Sequence, residues 1–190
     1  MSDRLPRLAP AEMTPPQLEV YAAFTGGVRA APDAAFSLVH PEGGLIGPPN
    51  AWLLSPPLAH ALEGFGRVLR FELELSARAR EIAILLMAFH RRSPFELYAH
   101  RLAGRAAGLS DDDIAGLADR VAPASCSSEE RAVHAATLAL LDRRTLDDTE
   151  FAAAVASLGR RGLLELVVLL GWYDSVATQL AVFGVVPPEN

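Results

Sequence analysis

The chain has 190 residues, a length that suits a single compact domain with a buried core. Hydrophobic residues make up 51% of it and the net charge is −6, a combination that excludes a disordered chain and disfavours nucleic acid as a partner. All 17 cations are arginine and Cys126 is the only cysteine, which excludes Schiff-base chemistry on a lysine and any intrachain disulfide.

Helix starts are marked along almost the whole chain. At most of them a serine, threonine or aspartate precedes proline or an acidic residue, the arrangement that satisfies the free N–H groups of a first turn. No stretch alternates as a strand would, so the sequence predicts an all-α fold, a single domain of about eight helices. The predicted helices span residues 14–29, 55–71, 76–91, 93–108, a short segment from 110, 127–141, 147–158 and 161–183.

One long irregular segment, residues 30–54, interrupts the helical pattern. It is rich in proline and glycine, and a loop of this length in a compact domain often forms a lid or a pocket wall. We therefore divide the chain into an extension made of the N-terminal helix and this loop, residues 1–54, and a helical core, residues 55–190.

The longest apolar run extends from Gly162 to Val186 and raises the question of a membrane span. Glu165 and Asp174 lie inside it, and each would be costly at mid-bilayer depth. The run is therefore expected to be a buried helix that also faces a partner subunit. The N-terminus lacks the apolar region of a signal peptide, so a cytoplasmic location is expected.

Three ionisable residues are predicted to meet in a helical hairpin. Glu81 precedes a turn centred near Arg92 and His100 follows it, at axial heights that differ by roughly 4–5 Å if the helices pack antiparallel. Ser93, Glu96 and His100 follow an i, i+3, i+7 spacing and share one helix face. Buried ionisable groups cost free energy unless they are paired, so this meeting marks a candidate site.

Each of these residues also has a purely structural interpretation. Ser93 and Glu96 match a capping box, in which Glu96 would reach back to the Ser93 amide. His100 would be an ordinary buried histidine, and Glu81 would belong to a surface ion pair. Two carboxylates and an imidazole also suffice for a zinc or iron site, although we expect no metal.

The order of several motifs resembles the carboxymuconolactone decarboxylase family, which includes the alkylhydroperoxidase D-like proteins. The similar segments are 75–84 with Arg80-Glu81, the run Glu96-x-x-x-His100 followed by Ala107-Gly108-Leu109-Ser110, and Gly44–Pro56. The resemblance implies an alkylhydroperoxidase D-like helical fold with an N-terminal extension, assembled as trimers or hexamers. In the family's peroxidase branch a glutamate, here Glu81, precedes a Cys-x-x-Cys-x-x-x-His motif whose cysteines fall on Ser93 and Glu96 and whose histidine falls on His100.

A serine and a carboxylate cannot exchange disulfides, so the resemblance implies the decarboxylase-like branch, which needs no metal or organic cofactor. The implied activity is that of a carboxy-lyase: decarboxylation, or a related proton transfer, on a small carboxylated lactone or keto acid. In it His100 would shuttle the proton, Glu81 would orient the imidazole and Glu96 would be a second acid–base group. The candidate substrate contacts are Asn50, Trp52, Ser93, Tyr98, Arg78 and Arg101.

Two other functions stay open. One is a thiol-dependent peroxidase, which the missing cysteines disfavour, and the other is a non-catalytic helical binding protein with a decayed pocket. Core packing is an equal alternative for Trp52 and Tyr98, and surface pairing is the preferred interpretation for Arg78 and Arg101. A homo-oligomer is expected, partly from the resemblance and partly because the last helix has more apolar residues than one small core buries. No nucleic acid or membrane partner is expected.

Overall fold

The structure, a computed structural model, describes residues 4–26 and 35–188. Within these residues it is all-α, as predicted, with eight α-helices and a single isolated bridge between Val39 and Leu45 in place of any strand. The helices are α1 (Pro15–Thr25), α2 (Pro48–Trp52), α3 (Pro56–Phe71), α4 (Ala77–Arg91), α5 (Pro94–Ala106), α6 (Asp111–Ala118), α7 (Ser128–Arg143) and α8 (Asp148–Phe183). This architecture is consistent with the alkylhydroperoxidase D-like fold.

Serine caps begin three of the helices where the sequence predicts them. The hydroxyls of Ser76, Ser110 and Ser127 each accept a hydrogen bond from the backbone N–H three residues later, at 3.2, 3.1 and 3.2 Å. Each such bond satisfies an N–H group that the first helical turn leaves free. Local sequence therefore determines where α4, α6 and α7 start.

The helices differ from the predicted set at α2. α2 lies inside the segment predicted to be a loop, and it begins with Pro48-Pro49, residues that suit a first helical turn. The two predicted C-terminal helices both lie within α8, where Gly159 is non-helical at φ 68° and ψ 169° and makes a kink at the predicted boundary between them. The first helix ends at Thr25, and its predicted end near Arg29 lies outside the described residues.

The chain packs as two compact units, which we call the terminal unit (residues 1–71 with 178–190) and the central unit (residues 72–177). In the terminal unit α3 packs against α1 and α2. These units are not the predicted division into an extension (residues 1–54) and a helical core (residues 55–190). That division stays a prediction.

The central unit is built around α4. This helix is buried on several sides, from Ala79 and then Ile82 to Ala88, because α5, α6 and α7 all pack against it. A buried apolar cluster that includes Ile82 and Leu85 of α4 and Leu117 of α6 forms the core of this unit. At its C-terminus Arg92 adopts a left-handed conformation (φ 49°), and α5 begins two residues later. The result is the tight α4–α5 hairpin that the candidate site requires.

α8 is long and apolar enough to cross a membrane if length and composition alone are considered. Both acids inside its apolar run are paired within the central unit. Glu165 lies 3.1 Å from Arg161, and Asp174 lies 3.1 Å from Arg91. A core helix of a soluble protein passes the same test, so this one helix is weak evidence for a membrane span. The cytoplasmic location stays a prediction.

Candidate functional site

The imidazole of His100 lies between two carboxylates in the central unit. His100 is 2% exposed, and its Nδ1 lies 2.7 Å from Oε2 of Glu81 on the neighbouring helix α4. Its Nε2 lies 3.4 Å from Oε2 of Glu96, one turn earlier on α5. The structure therefore brings together the three residues that the hairpin register predicts to meet.

Tyr173 also contacts the imidazole, and the sequence analysis missed it. The two rings meet edge to face, with centroids 4.9 Å apart and planes at 89°. Tyr173 is 6% exposed and lies on α8, so it belongs to a different helix from the hairpin. Its position in an apolar run signalled burial, but nothing in its spacing linked it to His100.

The charged form of His100 is favoured by its neighbours. Burial alone would lower its pKa, but the interactions with Tyr173, Glu81 and Glu96 outweigh that effect and raise the pKa of His100 well above its usual value. The carboxylates on either side of the ring consequently favour the imidazolium over the neutral imidazole. The cluster is therefore equipped to donate a proton.

Two polar atoms on the same face of α5 are buried without a hydrogen bond. Among the described residues, Ser93 Oγ and Glu96 Oε2 have no partner that meets hydrogen-bond geometry. The capping-box interpretation is wrong here, because Ser93 makes no side-chain cap and the Glu96 carboxylate lies beside His100 instead. Buried polar atoms are seldom left unsatisfied in proteins, so these two distinguish this face of α5 from an ordinary packed core.

The comparison with known families concerns the segment that contains this cluster. Residues 56–139 match the family model described as the carboxymuconolactone decarboxylase family. The match covers 84 of the 190 residues, and it shows that this segment is similar to the carboxymuconolactone decarboxylase family. The matched segment extends from α3 into α7 and includes Glu81, Glu96 and His100, whereas Tyr173 lies outside it. No curated protein matches the chain.

The two arginines expected to bind a carboxylate contact other protein groups within the matched segment. Arg78 donates to Glu130 at 2.6 Å, to Ser125 at 2.9 Å and to Asp113 at 3.4 Å, so it joins α4 to α6 and α7. Arg101 is exposed, and its guanidinium lies 5.7 Å from the centre of the Phe89 ring. These contacts match the alternative of structural pairing, and substrate binding by either residue stays a prediction.

The other predicted substrate contacts are divided between the central and the terminal unit. Tyr98 is half-buried on α5, with its ring 6.1 Å from that of Phe95. Trp52 belongs to the terminal unit, where its Nε1 donates to Gln179 at 2.7 Å. Asn50 is also in the terminal unit and is 8% exposed. Their role as substrate contacts stays a prediction.

Metal binding was an alternative use of the same side chains. Within residues 4–26 and 35–188, no group of three or more histidine, cysteine, aspartate or glutamate side chains is arranged to hold a metal ion. Both nitrogens of His100 already face carboxylate oxygens, as an imidazolium requires.

Proposed function

We propose that the chain is a cofactor-independent decarboxylase, or a related proton-transfer enzyme, that acts on a small carboxylated lactone or keto acid. One observation carries the proposal: a buried imidazole held between the carboxylates of Glu81 and Glu96, at 2.7 and 3.4 Å. The match of residues 56–139 to the family model supports the general reaction class. The reaction needs a positioned proton donor, and this cluster supplies one.

The proposed step protonates the carbon that loses carbon dioxide. The bond between that carbon and the carboxylate breaks, and its electron pair is delocalised onto the substrate's own carbonyl as an enolate. The imidazolium of His100 then gives its proton to the carbon and becomes neutral. Its Nε2 makes the longer of the two carboxylate contacts, so we assign the transfer to Nε2 and the anchoring hydrogen bond to Nδ1.

The carboxylates have different tasks in this mechanism. Glu81 accepts the Nδ1 hydrogen bond, which fixes the ring orientation and stabilises its charge. Glu96 Oε2 has no hydrogen bond among the described residues and lies next to Nε2. It is therefore placed to accept a proton from a substrate hydroxyl, or to return one to the ring after turnover.

Thiol-dependent peroxide reduction is disfavoured by the chemistry of the residues present. Ser93 and Glu96 occupy the positions that would carry the two sulfurs, and neither can exchange disulfides. Cys126 is buried in the core of the central unit, where burial, and then the nearby Glu130 carboxylate, raise the pKa of its thiol. A buried thiol with a raised pKa is a poor nucleophile.

The test is a screen of carboxylated lactones and keto acids for carbon dioxide release. For any substrate that reacts, we expect His100→Gln to lower kcat by about 10²–10⁴-fold, the usual loss of a general acid. His60→Gln, which removes an exposed histidine from α3, is the matched control and should leave kcat unchanged. Unchanged turnover in a folded His100→Gln variant would refute the mechanism, and peroxide consumption with a dithiol reductant would favour the peroxidase.

A further inference from the structure

The two carboxylate contacts of His100 do not by themselves fix the plane of its ring. Its Nδ1 lies 2.7 Å from Glu81 Oε2, a short contact that fixes one point of the imidazole. The contact between Nε2 and Glu96 Oε2 is 3.4 Å, longer than the usual N–H···O range of about 2.7–3.2 Å. The χ2 torsion of a histidine has only a broad preference, so it does not hold the ring either. A third contact is therefore needed to keep the imidazole in one orientation.

Tyr173 supplies a contact of the required kind. Its ring meets the imidazole edge to face, with centroids 4.9 Å apart and planes at 89°. Paired aromatic rings prefer this T-shaped arrangement, at centroid separations of about 4.5–7 Å. Because two rings that lie edge to edge need a larger separation, the imidazole cannot turn far from this plane before ring atoms collide.

The side chain of Tyr173 is itself held by packing. It is 6% exposed, and the residues about one turn away on the same face of α8 are also buried: Leu169, Leu170, Val176 and Ala177 are each at most 5% exposed. A functional group stays in a single geometry when the residues that support it are locked by their own packing. The Tyr173 ring is therefore a rigid support for the imidazole.

Two polar contacts attach this part of α8 to both ends of α4. The Glu165 carboxylate accepts a hydrogen bond from the Glu74 N–H group, just before α4 begins, at 2.8 Å. Asp174, the residue after Tyr173, pairs with Arg91 at the end of α4 at 3.1 Å. The position of Tyr173 is thus defined relative to the hairpin that carries the cluster.

We propose that Tyr173 is a positioning residue for His100: its aromatic ring holds the imidazole in the plane in which Nδ1 meets Glu81 and Nε2 is available for proton transfer. The ring performs this task and the hydroxyl does not, because the edge-to-face contact is made by the rings. Tyr173 lies outside residues 56–139, so the match to the family model assigns it no role. The orientation of the imidazole is a property of the chain without substrate, and only the effect on turnover rests on the proposed function.

A spectroscopic test needs no substrate. In a chain with isotope-labelled histidine, the proton between the His100 Nδ1 and the Glu81 carboxylate should give a strongly downfield NMR signal, which His100→Gln identifies by its loss. We expect Tyr173→Phe to keep this signal, since the ring is retained. Tyr173→Met should broaden it or shift it upfield, since a flexible side chain replaces the ring. An unchanged signal in Tyr173→Met, or a lost signal in Tyr173→Phe, would overturn the proposal.

Two further variants complete this experiment. Tyr21→Met makes the same replacement at a half-buried tyrosine of the terminal unit and is the matched control, which should leave the signal unchanged. Tyr173→Leu also removes the ring, and it takes the place of Tyr173→Met if that variant does not fold.

A kinetic test uses any substrate that the screen for carbon dioxide release identifies. Tyr173→Met should lower kcat by about tenfold or more and change KM less, because the proton donor is displaced while the substrate contacts remain. Tyr173→Phe should keep most of kcat. An unchanged kcat in folded Tyr173→Met would show that the tyrosine only packs, and would overturn the proposal. Absence of turnover with every compound would count against the decarboxylase alone, because the NMR comparison decides the role of Tyr173 without a substrate.

Discussion

The behaviour of His100 is determined by the charges beside it rather than by its burial. A buried histidine without partners would be neutral, because desolvation penalises the imidazolium. Tyr173, Glu81 and Glu96 together reverse that preference and raise the pKa of His100. The same three contacts therefore explain both why the residue is tolerated in the core and why it can act as an acid.

The raised pKa of His100 makes stability depend on pH in a defined direction. A histidine binds its proton more tightly in the folded state, so its contribution is fully present below the unfolded pKa of about 6.5 and is lost as pH rises through the higher folded pKa. Urea unfolding of the unmodified chain and of His100→Gln across that range measures this difference. We expect the advantage of the unmodified chain to shrink with rising pH, and a constant difference would contradict the assignment.

At the scale of the element, the local sequence predicts where helices start, but it does not predict which helices contact one another. The serine caps of α4, α6 and α7 were predictable because capping depends on a few adjacent residues. The hairpin register was predictable because it needs only a rise per residue and one turn. Tyr173 was not, since its contact with His100 depends on how α8 packs, which no local pattern specifies. α2 was missed because proline and glycine dominate its surroundings.

Two serines at helix starts should differ in their contribution to stability. Ser127 accepts a hydrogen bond from the Glu130 N–H group, so Ser127→Ala is expected to lower the free energy of unfolding by about 1 kcal/mol. Ser93 precedes α5 but makes no cap bond, and its hydroxyl is buried without a partner among the described residues. Ser93→Ala should therefore be neutral or slightly stabilising in the same denaturation experiment. A larger loss from Ser93→Ala than from Ser127→Ala would contradict this assignment.

At the scale of the whole molecule, we propose that the chain forms a homo-oligomer, a trimer or a hexamer. Within the central unit, the outer face of α8 exposes Leu164 by 63% and Val167 by 45%. Large apolar side chains that neighbour one another on an exposed helix face are typical of a subunit interface.

Light scattering coupled to size-exclusion chromatography tests this assembly. We expect the unmodified chain to be oligomeric at micromolar concentration and Val167→Glu to dissociate it, because a charge on a buried apolar interface lacks a partner. Val121→Glu changes another exposed valine, outside α8, and should leave the assembly intact. A monomeric unmodified chain would contradict the proposal.

The single cysteine offers a way to time the opening of the central unit. Cys126 is 6% exposed and packs with Ile82, Leu85 and Leu117 around the helix that carries Glu81. A thiol reagent can reach its sulfur only when this packing separates, so the labelling rate in native buffer reports how often that happens. The native cysteine is thus a probe for local opening of the central unit, and no residue needs to be engineered for the measurement.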